Sequence, residues 1–134
     1  MWNRHLQAAE TLAAALRAQG FQGCSAPDLQ AAVQPADIVN RATLATQALV
    51  QGARLQPGAH LDLIGSFTPL MREADGECFA RGRVFVDTEE ALAKAGDVLR
   101  AIAEGHFTPR ALQGTLATCA GTRAQGGGKH LLPG

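Results

Sequence analysis

The residues able to carry chemistry gather in one stretch, Ala59-His-Leu-Asp-Leu-Ile-Gly-Ser-Phe-Thr-Pro-Leu-Met-Arg-Glu-Ala-Asp75. His60 and Asp62 alternate with Leu61 and Leu63, so a strand here puts an imidazole and a carboxyl on one face. Such a pair could move a proton, although a hydrogen-bonded support for the next loop is the commoner outcome. Gly65 and Ser66 end the apolar run with small side chains. They read equally as an ordinary loop or as a place where a flat cofactor ring lies close to the backbone. Ala42-Thr-Leu-Ala-Thr46 has the same two readings: threonines that satisfy local backbone groups, or a floor of small side chains beneath such a ring. Arg72 and Glu73 are expected to begin a helix. Glu73 would answer the helix dipole, and Arg72 would be a surface charge or pair with a carboxylate.

Asn3-Arg4 offers a different chemistry. Most exposed arginines near an N-terminus are solvated charges. In dinucleotide-binding folds, however, an acid after the second strand touches the ribose of NAD, whereas an arginine accommodates the 2′-phosphate of NADP. Here the acid is absent and Arg4 is present, which leans toward NADP. Metal chemistry has little support. Cys24, Cys78 and Cys119 are odd in number and far apart, no C-x-x-C pair occurs, and His5, His60, His106 and His130 lack ligand spacing. Reduced, structural cysteines are expected.

The elements that must position these residues read as an α/β chain. Over 134 residues, 46% are hydrophobic and 18% charged, enough for one domain with a real core. Twelve basic and twelve acidic residues cancel, which argues against a nucleic-acid or anionic-membrane partner. No apolar run approaches the ~18 residues of a membrane span, and no signal-peptide pattern occurs. A soluble, cytoplasmic chain is expected.

Helix is expected from His5 to Gln19, with Leu6, Ala9, Ala13 and Leu16 on one stripe and Gly20 closing it. Phe21–Cys24 reads as a short strand. A helix starts at Ser25-Ala-Pro-Asp28, with Pro27 in its first turn, and ends at Pro35. Asp37–Thr43 is the next strand, Leu49–Arg54 a turn of helix, Pro57-Gly58 a turn and Ala59–Ile64 a strand. Met71–Arg81 reads as helix and Arg83–Asp87 as a buried strand. Asp87-Thr-Glu-Glu90 has capping-box spacing, Glu90 and Lys94 stand four apart, and a further helix runs from Asp97 through Glu104. Thr108-Pro109 opens a last helix carrying Leu112 and Leu116. From 121 to 134 the composition turns to Gly, Thr, Gln and Lys, and a disordered tail is expected. The alternation implies a parallel sheet with helices on its faces.

Four segments carry a family resemblance: Met1-Trp-Asn-Arg4, Asp37-Ile-Val-Asn-Arg-Ala-Thr-Leu-Ala-Thr46, Leu55-Gln-Pro-Gly-Ala-His-Leu-Asp-Leu-Ile-Gly-Ser-Phe-Thr-Pro-Leu-Met-Arg-Glu73 and Val84-Phe-Val-Asp-Thr88. In order and separation they resemble the ornithine cyclodeaminase/mu-crystallin family, over about Trp2 to Leu116. The resemblance implies a dinucleotide-dependent enzyme using NADP or NAD, with a Rossmann cofactor domain and a separate substrate and dimerisation domain. Members include ornithine cyclodeaminases, alanine dehydrogenases and reductases of cyclic imines. By position, Asn3 and Arg4 match the adenosine-phosphate contacts, Thr43 and Leu44 the loop beside the cofactor, and Gly65 and Ser66 the loop that approaches the nicotinamide. No catalytic or metal-binding residue is assigned.

One departure bears on the reaction. The cyclodeaminases of the family carry an aspartate two residues before the loop proline, and here that place holds Phe67, which cannot ionise. Phe-Thr-Pro is similar to the ketimine (Δ1-pyrroline-2-carboxylate) reductase branch, which implies a small cyclic imine or amino-acid substrate and a homodimer. The alternatives are an ornithine cyclodeaminase-like enzyme or a non-catalytic remnant or binding module.

Neither a G-x-G-x-x-G phosphate loop nor the family's substrate-carboxylate residues occur in the sequence, and Gly126-Gly-Gly-Lys-His-Leu-Leu-Pro-Gly134 does not match the family's continuation. The expectation is therefore an incomplete Rossmann-type parallel sheet with flanking helices. It would lack the first βα unit and the substrate domain, with residues 1–120 forming the C-terminal part of a cofactor domain. Such a chain should be inactive alone and prone to associate through the open edge of its Ile38–Ala42 strand.

Overall fold

A computed structural model of the chain describes residues 1–124. Helix α1 spans Leu6–Ala18, and its inward stripe is built from alanines, with Ala9 and Ala13 buried. It ends in a Schellman arrangement: Gly20 takes φ +88°, its N–H donates to the Arg17 carbonyl at 3.0 Å, and Phe21 N–H donates to the Leu16 carbonyl at 3.0 Å.

That ending overturns the strand expected at Phe21–Cys24. Phe21 N–H is taken by the helix, Gly23 N–H by the Phe21 carbonyl, the Gly23 carbonyl by Arg17 Nη1, and the Cys24 carbonyl by the Met1 ammonium. These backbone groups are already taken by the helix end, Arg17 and Met1, and no strand forms here. Helix α2, Leu29–Val33, follows; Asp28 is its cap and accepts from Ala31 N–H, so Pro27 lies just outside the first turn.

Strands β1 (Ile38–Arg41) and β2 (His60–Leu63) are parallel neighbours in the register Ile38↔His60 to Arg41↔Leu63. A 3₁₀ turn at Gly52–Arg54 lies in the crossover between them. Val39 points from β1 into a buried cluster with Val33, Val50 and Ala74, and Leu61 and Leu63 of β2 pack on it.

The helix expected over Met71–Arg81 is shorter: α3 covers Gly76–Arg81 only. Asp75 caps it through Cys78 N–H and also takes Gly52 N–H at 2.9 Å, so Arg72–Ala74 stays outside the helix. Strand β3, Phe85–Val86, is followed by α4, Ala91–Lys94, and α5, Gly96–Ala103. The capping box expected from Asp87 does not form, because Asp87 Oδ1 is spent on the adjacent Thr88 N–H. The Glu90–Lys94 ion pair does, at 2.7 Å.

The expected last helix divides. Pro109–Ala111 is one 3₁₀ turn. Gly114–Thr115 is a strand, β4, parallel to β3, and α6 spans Leu116–Ala124. Thr118 N–H reaches the Thr115 hydroxyl and Thr115 N–H the Thr118 hydroxyl, which starts the helix after β4 rather than before it. The tail expected from 121 thus begins inside α6; the rest of that expectation, 125–134, lies outside the described residues.

A second cluster of Phe79, Val98, Ala101 and Phe107 shares Leu63 and Cys78 with the first. Burial beside the Asp75 carboxylate pushes the Cys78 thiol up to about 12, so it stays protonated and serves as packing. The three cysteines are unpaired. Among the described residues no helix is long and apolar enough to cross a membrane.

Candidate functional site

Parallel strands leave their ligands at the carboxyl ends, and in this chain those ends are held by a buried acid. The last rung of the β1–β2 ladder is Ile64 N–H to the Arg41 carbonyl, 2.8 Å. Two residues beyond the Arg41–Leu63 pair come Thr43 and Gly65, in equivalent register. Glu73, 0% exposed, spans them. Its Oε1 accepts from Thr43 N–H and from the Thr43 hydroxyl, both at 2.6 Å. Its Oε2 accepts from Gly65 N–H at 2.7 Å. The tie requires glycine at 65 for close approach: a Cβ there would lie 2.0 Å from the Thr43 carbonyl oxygen and 2.6 Å from Glu73 Cδ.

Glu73 is itself fixed from the backbone. Its N–H and that of Ala74 donate to Asp97 Oδ1 at 2.9 and 3.0 Å. Its carbonyl accepts from Leu49 and Val50 N–H, both at 2.9 Å. Asp97 sits in the first turn of α5 and is 2% exposed. Burial pushes its carboxyl above the ordinary range, against the pull of the Ala74 and Glu73 N–H groups. The Ser66 carbonyl takes Gly96 N–H at 2.9 Å, which docks the loop after β2 on the start of α5. Arg72 completes the frame with a bidentate pair to Glu104, 2.7 and 2.8 Å.

Arg41 ends β1 facing the same side as Val39. The residue is 5% exposed, and its guanidinium lies 5.4 Å from the centre of the Trp2 ring, a cation–π contact. Burial pulls its pKa down and the Glu73 charge opposes the change. The contact lays the N-terminal segment against the end of β1.

Of the residues singled out from sequence, Thr43, Gly65 and Ser66 are brought together by the Glu73–Asp97 frame. Leu44 stands beside them on the surface, 73% exposed, and Phe67 and Ile64 are exposed as well. Asn3 and Arg4 are exposed on the N-terminal segment, where Asn3 Oδ1 accepts from His5 N–H. His60 and Asp62 do not act as a pair: Asp62 takes the Asn40 amide across the strands at 2.7 Å, and His60 is exposed.

The part played by Glu73 corrects the sequence reading, which gave it to a helix start; Arg72 also lies before the helix but makes the carboxylate pair considered for it, and Asp97 stands at the expected start of its helix, where it anchors Glu73. A signal was available. Asp75-Gly-Glu-Cys78 is itself a helix entry, which leaves Glu73 before the helix and close to the glycine it bonds.

The elements and this junction define an α/β unit of partial Rossmann type, its strand-end loops joined by a buried carboxylate. The chain belongs to the ornithine cyclodeaminase/mu-crystallin family, whose match covers residues 1–123. It is 41% identical over 117 residues to the Delta(1)-pyrroline-2-carboxylate reductase of Paracoccus denitrificans, covering 87% of this chain and 37% of that protein. The iminosuccinate reductase of Paracoccus denitrificans, solved with NAD+, superposes with a TM-score of 0.78 at 26% identity, over 90% of this chain and 37% of that one. The Delta(1)-pyrroline-2-carboxylate reductase of Thermococcus litoralis, solved with NADH and L-proline, gives a TM-score of 0.85 over 90% of this chain and 38% of that one; at 24% identity it speaks for the fold. The chain spans little more than a third of the length of each.

Proposed function

We propose that this chain contributes part of the nicotinamide dinucleotide site of an imine-reducing oxidoreductase acting on a small cyclic imine. The observation that carries the reading is the pair of loops beyond β1 and β2, fixed together by Glu73 with Leu44 and Phe67 exposed beside them. The NAD+-bound iminosuccinate reductase and the Delta(1)-pyrroline-2-carboxylate reductase of Paracoccus denitrificans support it.

The residues present suit the nicotinamide end of such a cofactor. The loop amides and the buried acid satisfy one another, so the surface offered to a flat ring is small and apolar. Thr43 and Leu44 would flank the ring, and Gly65 and Ser66 would approach it. Asn3 and Arg4 would meet the adenosine end, where Arg4 favours a 2′-phosphate and hence NADP over NAD. A pyrophosphate cradle of the G-x-G-x-x-G type is not in the sequence.

When bound, the reduced nicotinamide supplies the hydride that adds to the C=N carbon. The chain's own part is to hold the ring and keep water from one face. Phe67 supports reduction over deamination, since it brings no carboxylate to handle water or a proton.

Titration of the chain with NADH and NADPH, followed by nicotinamide fluorescence, tests the proposal. Binding is expected, and Arg4→Ala should weaken NADPH about tenfold, roughly 1.4 kcal/mol, while changing NADH little. No binding of either at millimolar cofactor overturns it.

A further inference from the structure

We infer that Glu73 is a positioning residue: its carboxylate replaces the next rung of the β1–β2 ladder and sets the spacing and direction of the Thr43–Leu44 and Gly65–Ser66 loops. As a statement about cofactor binding, the inference rests on the reading above.

Three facts make Glu73 the part that positions rather than the part that is positioned. First, the donors converge on it from two different loops, Thr43 N–H and hydroxyl on Oε1 and Gly65 N–H on Oε2. Second, its own backbone is anchored in the core from both sides, by Asp97 Oδ1 and by the Leu49 and Val50 N–H groups. The side chain therefore starts from a fixed base. Third, it is wholly buried, and a buried carboxylate is tolerable only where donors meet it. With one oxygen on each loop, the carboxylate cannot satisfy both ends unless the loops keep one separation.

The chemistry predicts an asymmetric response to Glu73→Gln. The amide oxygen can still accept from Thr43, but the amide nitrogen then faces Gly65 N–H, donor against donor. Retention of the Thr43 bond with release of the Gly65 loop is the expected pattern. Thr43→Val removes only the hydroxyl bond and should have a smaller effect.

Amide hydrogen exchange on the 134-residue chain reads this directly. In the wild type, Thr43 and Gly65 should exchange as slowly as the β1–β2 ladder amides. In Glu73→Gln, Gly65 should lose its protection while α1 and α5 amides keep theirs, which general destabilisation would not produce. NADH or NADPH affinity, measured well below the melting temperature, should fall about tenfold or more, as expected for misplaced binding groups. Glu90→Gln, at the exposed residue just before α4, should change neither.

Fast exchange at Thr43 and Gly65 in the wild type overturns the inference without any variant, so a poorly folding Glu73→Gln does not shelter it. Unchanged protection or unchanged cofactor affinity in Glu73→Gln, where the wild type binds, overturns it while leaving the cofactor reading intact. If the wild type binds no cofactor but both amides are protected in it and Gly65 is released in Glu73→Gln, the loop-positioning inference stands and the cofactor reading falls.

Discussion

Two acids inside one small unit create a residue-scale conflict. Glu73 meets three donors, whereas Asp97 uses Oδ1 for two backbone N–H groups and leaves Oδ2 buried without a partner. Burial and the neighbouring Glu73 charge both raise its pKa. An acid whose folded pKa is raised binds more protons folded than unfolded. Its contribution is therefore complete below the unfolded value of about 3.9 and is lost as pH rises through the folded pKa. Asp97→Asn keeps the accepting oxygen and removes the titration. Relative to the wild type it should gain on the order of 1 kcal/mol of stability between acid and neutral pH. Thermal melts across that range check this, and parallel curves for the two proteins would sink it.

At the scale of elements, the close approaches decide what can change. Gly65→Ala puts a methyl into the Thr43 carbonyl and the Glu73 carboxyl, and should cost about 1–3 kcal/mol through forced displacement. Gly121→Ala, in α6 with nothing within 4 Å of the new methyl, should be neutral or gain up to about 1 kcal/mol of helix propensity. Equal unfolding midpoints for the two variants in urea would refute the assigned crowding. The same elements show which parts of the sequence were legible. The α1 helix, a helix start near Asp28 and the β1 and β2 runs rest on local patterns, and they occur at or near the expected residues. Phe21–Cys24 looked like a strand because its apolar residues have strand character; its backbone groups are instead claimed by Arg17, Met1 and the helix end. Glu73 was read as answering a helix dipole because nothing local says that a glutamate meets two loops 8 and 30 residues away. Gly65 was the visible half of that contact, and its reason lay in a residue read otherwise.

For the whole molecule, the sheet faces carry the consequence. Val39 and Arg41 of β1 point to the covered side and are buried, whereas Ile38 and Asn40 point the other way and are exposed. Their partners on that side are His60 and Asp62. A parallel sheet is ordinarily covered on both faces, yet among the described residues β1 pairs only with β2, and Ile38 is 70% exposed on the open side. An uncovered face beside an unpaired strand edge favours association. The isolated chain should therefore show a weight-average mass that rises with concentration in sedimentation velocity. Ile38→Lys, which places a charge on the open face without touching the Val39 cluster, should shift that rise to higher concentration by about tenfold, or roughly 1.4 kcal/mol. A monodisperse monomer with a sharp, concentration-independent melt would mean that the open face is sufficient in water. Glu73 and its loops would then be organised by the β1–β2 unit alone.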